Sequence, residues 1–123
     1  ELQEFYTETA KMLNCTPRNI AYSINATDAY SQVLSSIPFE KGDVIITTDD
    51  DYTSNQAQFS VLYQRFRVAT VRVRNHDNGD IDLTHMHELI KEHKPKLVSV
   101  SHIPTNSGKV QDVEGVGKLC EEK

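Results

Sequence analysis

The sequence predicts an α/β fold, three layers in the order αβα around a mainly parallel sheet. Two observations carry this. Along the chain, apolar residues at helical spacing alternate with short β-branched runs, giving strand and helix in turn. The clearest run, Val44-Ile45-Ile46, is apolar without a break, as expected of a strand covered on both faces. With 123 residues, the chain has the length of one domain and is expected to form a single α/β unit over 1–123.

Leu2, Phe5, Tyr6, Met12 and Leu13 share one face at helical spacing, so residues 1–14 should form an amphipathic helix. Thr16-Pro17 stops it, because proline disfavours the helical conformation in the residue before it. Asn19 to Ile24 reads as a short strand. Ala26, Ala29, Tyr30, Val33, Leu34 and Ile37 form a second helical stripe, with Asn25 as its cap and Asp28 as the acidic partner of a capping box. Pro38 ends it. A turn at Lys41-Gly42-Asp43 feeds the buried run at 44–46, and Phe59, Leu62, Tyr63 and Phe66 mark a third helix. Val68 to Val73 is a strand by its β-branched content, and residues 76–80 form a turn. Leu83, Met86 and Ile90 give a fourth helix ending near Lys94-Pro95. Leu97 to Val100 is a buried strand, and Val113, Val116 and Cys120 open a last helix.

The charge balance excludes some functions. Thirteen Lys and Arg against eighteen Asp and Glu, a net charge of −5, leave no basic surface for nucleic acid or an anionic membrane. No run approaches the roughly 20 apolar residues of a membrane span, and no secretory signal is visible. Cys15 and Cys120 lack Cys-x-x-Cys spacing and are expected as reduced thiols, consistent with a cytoplasmic protein. The chain begins with Glu, so a longer parent is expected.

In open α/β sheets ligands bind beyond the carboxyl ends of the strands. Three loops are expected there: 24–28, 48–55 and 101–109. In the first, Ala26 and Thr27 open a capped helix, whose N-terminal amides and hydroxyl suit an anion. An ordinary helix cap has the same composition. In the second, Asp49-x-Asp51-x-Thr53 after an apolar strand resembles the nucleophile motif of Mg²⁺-dependent phosphatases, while Tyr52 offers a ring on which a planar ligand could stack. The bland reading is an acidic helix start and a core or surface tyrosine. The third, Ser101-His102-Ile103-Pro104-Thr105-Asn106-Ser107-Gly108, crowds polar groups directly after a buried strand, and His102 is expected as a buried, hydrogen-bonded histidine. His85, His87 and His93 lack metal-ligand spacing and are expected in solvent. Asp77-Asn78-Gly79-Asp80 is no calcium loop, and Gly115-Val116-Gly117-Lys118 no phosphate loop.

Taken in order, Asn19-Ile20, Ala26-Thr27, Gly42-Asp43, Tyr52-x-Ser54-Asn55, Asn78-Gly79-x-Ile81-Asp82 and Lys96-Leu97-Val98-Ser99-Val100-Ser101-His102 with Thr105-Asn106-Ser107-Gly108 resemble the class V aminotransferases. These are pyridoxal-phosphate (PLP) enzymes of fold type I, and the group includes cysteine desulfurases and related lyases, transferases and epimerases. The resemblance implies part of the large, cofactor-binding domain of such an enzyme, with an amino-acid substrate and a homodimeric parent. It implies cofactor phosphate at Ala26 and Thr27, a ring over the pyridine at Tyr52, and a contact to the phenolic oxygen from Thr105 or Asn106. Many desulfurases carry histidine where Tyr52 stands, a departure that favours another lyase, epimerase or transferase. Asn55 and His102 match family positions without an assigned role. The pyridinium-pairing aspartate of the family lies in a Val-Asp-x-x-Gln stretch and the Schiff-base lysine in a Ser-x-His-Lys stretch, and neither occurs in these 123 residues. The expectation is therefore a fragment with no catalytic residue of its own and no turnover alone. The rivals are the phosphatase using Asp49 and Asp51, and a non-catalytic α/β binding module.

Overall fold

The computed structural model describes residues 2–121, and the chain divides into two compact units, Glu1–Ser36 and Ile37–Lys123. In the first, helix α1 (Leu2–Met12) is followed by a 3₁₀ turn at Pro17–Asn19 and helix α2 (Ala26–Ser36). Phe5 on α1 meets Tyr6 and Tyr22 edge-on at 5.5 and 6.0 Å between ring centres. The strand expected over Asn19–Ile24 does not form. Asn19 instead closes the 3₁₀ turn, taking the Thr16 hydroxyl on its Oδ1 at 2.7 Å. Ile20 has extended dihedrals, but among the described residues the segment has no ladder neighbour. A strand without a partner leaves its amides to water and gains nothing over coil.

Asn25 caps α2 as expected. Asn25 Oδ1 accepts the Asp28 amide at 2.8 Å. The Asp28 carboxylate accepts from the Ser23 hydroxyl and, at 2.7 Å, from Gln32.

The second unit holds strand β1 (Val44–Thr48), helix α3 (Thr53–Phe66), β2 (Ala69–Val73), helix α4 (Leu83–His93), β3 (Leu97–Val98) and helix α5 (Val113–Glu121). The strands lie in the order β2-β1-β3, both pairings parallel, with Ile46 opposite Val71 on one side and Val98 on the other. The chain steps from β1 one way to β2, then returns past β1 to β3. Crossovers of one hand then place α3 and α4 on opposite faces. Strand alternation agrees. Ile46 and Val73 form a core with Met86, Leu89 and Ile90 of α4 and Val116 of α5, while Arg72, one residue out of phase with Val73, donates to Gln56 of α3 at 2.8 Å. This is the three-layer αβα arrangement.

Val44-Ile45-Ile46 is the central strand, and Ile45, Ile46 and Thr47 are fully buried. Expected to run to Val100, β3 ends at Val98. Ser99 still donates to Ile46 at 2.8 Å, after which the chain leaves the ladder. Gly79, at φ +87°, closes the turn between β2 and α4 in the left-handed region that glycine enters without strain. Asp82 caps α4 through the His85 amide at 2.9 Å. The three helix histidines are half-buried, not solvated, and His85 Nδ1 accepts the Arg74 amide at 3.1 Å. Both cysteines are free and exposed. Among the described residues no helix is long and apolar enough to cross a membrane.

Candidate functional site

β1 and β3 are parallel neighbours, so the loops after them leave the sheet at the same edge. The loop expected over 48–55 is shorter than that, because Thr53, Ser54 and Asn55 form the first turn of α3. At its centre lies Asp51, 5 % exposed. Oδ1 accepts the Tyr52 amide at 2.7 Å, the Asn55 side chain at 3.0 Å and the Ser101 hydroxyl at 2.9 Å. Oδ2 accepts from Thr47 at 3.3 Å and Gln56 at 3.4 Å. A carboxylate is costly to bury unless hydrogen-bonded, and here five neutral donors offset that cost.

This geometry removes the basis of the phosphatase reading. Asp51 has both oxygens turned into the protein, and Asp49 is exposed and lies 3.6 Å from the Arg72 guanidinium. A nucleophile and a general acid would need to face one substrate.

Tyr52 is the N-cap residue of α3, with extended dihedrals (φ −65°, ψ 135°), and its side chain is 55 % exposed at the edge. The Ser101–Asp51 hydrogen bond ties its loop to the third one. There Pro104 is buried, while Thr105 and Asn106 stand exposed beside it. Gly108 donates to the Pro104 carbonyl at 2.8 Å, closing a turn around these two residues. His102, expected buried, is exposed, and its carbonyl accepts the Gln111 amide at 2.9 Å. Ala26 and Thr27, in the first unit, are exposed at the start of α2. Asn25 caps the Asp28 amide, so the positive end of the helix dipole emerges at Ala26 and Thr27.

The buried role of one residue of this edge, and another residue altogether, escaped the sequence reading. Asp51 read either as a phosphatase group or as part of an acidic helix start, when it is a buried hub; its signal was the polar set at 47, 55, 56 and 101, visible only once the strand register is known. Gln111 is 4 % exposed and joins two loops, accepting the Ile81 amide and donating to the Gly79 carbonyl, each at 3.0 Å. Nothing in its local sequence sets it apart. Beside it, Lys109 meets Asp80 at 3.0 Å, and its N–H bond holds the Asp80 carboxyl below the usual carboxylate range.

Comparison with known proteins decides the family. The model for "Aminotransferase class-V" matches residues 1–123. The chain belongs to the class V aminotransferase family. This class V aminotransferase chain is 30 % identical over 121 residues to a probable cysteine desulfurase of Methanothermobacter thermautotrophicus, covering 98 % of the chain and 30 % of the relative. It is 28 % identical over 115 residues to the mitochondrial cysteine desulfurase of Saccharomyces cerevisiae, covering 90 % of the chain and 22 % of that protein. Among solved structures, the apo cysteine desulfurase of Thermococcus onnurineus superposes with a TM-score of 0.90 at 24 % identity, over 98 % of this chain and 30 % of that one. The cystine C-S lyase C-DES, in complex with its product cysteine persulfide, superposes with a TM-score of 0.85 at 22 % identity, over 99 % and 32 %. The class V aminotransferase chain thus spans about a third or less of the length of these relatives, and the structural likeness places it in the α/β fold of the family's large domain.

Proposed function

We propose that these residues form the opening, cofactor-binding part of the large domain of a PLP-dependent enzyme acting on an amino acid. The observation that carries the reading is Tyr52, a large ring half in solvent at the carboxyl end of the central strand of a class V aminotransferase. The residues present fit the group. The dipole end of α2 at Ala26 and Thr27 suits a phosphate, Tyr52 offers a stacking face, and the exposed amide and hydroxyl of Asn106 and Thr105 can hydrogen-bond a phenolic oxygen. When bound, PLP supplies an electron sink for the substrate's α- or β-carbon.

The chain's own residues bind and orient. In the second unit Tyr52 would stack on the ring and Thr105 or Asn106 would hydrogen-bond its phenolic oxygen; in the first, the start of α2 at Ala26 and Thr27 would suit an anion. Where many desulfurases place a histidine, this chain has Tyr52. That supports a lyase, epimerase or transferase over a standard desulfurase, although the curated relatives are named cysteine desulfurases. No lysine here lies in a Ser-x-His-Lys stretch, so the 123 residues are proposed to carry out no turnover alone. The proposal extends to one large-domain portion over 1–123, a cytoplasmic location and a homodimeric parent.

The test uses the full-length protein that carries this sequence. Bound PLP should survive dialysis, Thr27→Ala should weaken its binding about tenfold through lost anion contacts, and a panel of amino acids should perturb its visible absorbance. Retention of no PLP by the full-length protein would sink the reading.

A further inference from the structure

We propose that Asp51 is the positioning residue of this edge: it sets Tyr52 and locks the Tyr52 loop to the loop bearing Thr105 and Asn106. The inference rests on the PLP reading of Tyr52 given above and names what holds that ring in place. Tyr52 is exposed, so packing alone does not orient it. Its backbone is fixed instead, because its N–H donates at 2.7 Å to the side chain of the residue before it. The same oxygen, Asp51 Oδ1, takes Asn55 from the first turn of α3 and Ser101 from beyond β3. The other oxygen is held by Thr47, the fully buried next-to-last residue of β1, and by Gln56. One carboxylate therefore joins the central strand, the helix that Tyr52 caps and the neighbouring loop. Ser101 is 50 residues away in sequence, and its hydroxyl crosses between the loops. A site group whose backbone is pinned by a buried, fully bonded side chain is preorganised before any ligand arrives.

Asp51 touches no substrate in this proposal. It acts through Tyr52 and Ser101, so its loss should misplace the ring and not merely loosen the fold. The experiment uses the full-length protein with PLP and compares Tyr52→Ala, Asp51→Asn, Ser101→Ala and the Tyr52→Ala/Asp51→Asn double variant. The readouts are the visible circular dichroism of bound PLP, which reports ring orientation, the PLP dissociation constant, and the melting temperature of the apoprotein. Asp51→Asn should alter the dichroic band and weaken PLP about tenfold. Ser101→Ala should shift the band in the same direction by less, and the double variant should add little to Tyr52→Ala. If Tyr52→Ala changes the band while Asp51→Asn and Ser101→Ala lower only the melting temperature, Asp51 is a structural residue and the proposal fails. Should Asp51→Asn fail to fold, Ser101→Ala decides on the same criterion. An unchanged band in Tyr52→Ala overturns instead the stacking reading on which the proposal stands.

Discussion

Two aspartates that sit one residue apart show how a side chain's partners decide its response to acid. The carboxyl of Asp82, at the start of α4, is held below its ordinary value of 3.8 first by the His85 amide and then by Arg74, whose Nε lies 3.2 Å away. Asp80 is lowered by Lys109 first and, after a smaller opposing effect of burial, by Asn78. Both groups release their protons more readily folded than unfolded. Their contribution is therefore complete above the unfolded value and is lost as pH falls through the folded one. Melting temperature should stay level from pH 6 down to about 4.5 and then fall. In Asp80→Asn/Asp82→Asn the plateau should be lower and the acid slope shallower, so that the two proteins converge once the pH lies below the folded values. Parallel curves across that range would show that these carboxylates do not set the acid limb. The histidine Coulomb contribution to both groups comes from His76 and is minor.

At the scale of elements, α5 shows how far helix propensity and packing can be separated. It contains Gly115 and Gly117, both with ordinary helical dihedrals. A methyl group at Gly117 would meet nothing within 4 Å, so Gly117→Ala should stabilise by about 0.5–1 kcal/mol through reduced freedom of the unfolded chain. The same group at Gly115 would come within 2.6 Å of Leu83 Cδ1 and of Asp112 Oδ2, and Gly115→Ala should gain less or lose stability. Urea unfolding of both variants checks the order; equal gains would contradict it. The extent of the helices was legible from their apolar stripes, and on α4 the stripe also gave the buried face through Met86 and Ile90, whereas on α1 the expected face fails, since Leu2, Phe5, Met12 and Leu13 are exposed and Ala10 is buried. The strands were less so. Val44-Ile45-Ile46 was readable since a strand buried on both faces has no polar phase. Asn19–Ile24 has the composition of a strand but, among the described residues, no neighbour to pair with, and pairing is not a local property. The site divides in the same way. Tyr52, Thr105 and Asn106 are proposed from motif order, whereas the burial of Asp51 depends on the register that brings Ser101 to it.

At the scale of the whole chain, apolar burial is unevenly divided, and the two units should differ in how long their amides resist exchange. In Glu1–Ser36 the buried apolar residues are Ala10 and Leu34, and Leu2, Met12, Leu13, Tyr22, Ile24 and Val33 are exposed. In Ile37–Lys123 the core runs from Ile45 and Ile46 through Phe59, Val68 and Val73 to Met86, Ile90 and Val116. Burial of a large apolar side chain contributes about 1.5–3 kcal/mol, so α4 and the central strand open only when most of that core is lost. The helices α1 and α2 have no comparable store and depend on propensity, which leaves isolated helices of 11 residues marginal in water. Native-state hydrogen exchange on the 123-residue chain should therefore show three levels. β1, bonded on both sides, and the inner face of α4 should exchange with the free energy of global unfolding. Val98, in a two-residue edge strand, should exchange faster than Ile46, its register partner. Amides of α1 and α2 should exchange within about tenfold to a hundredfold of the unprotected rate, because fraying needs no loss of core. Protection of α1 equal to that of β1 would mean that the first unit is stabilised by more than its own two buried side chains, and the division of stability argued from burial would be wrong.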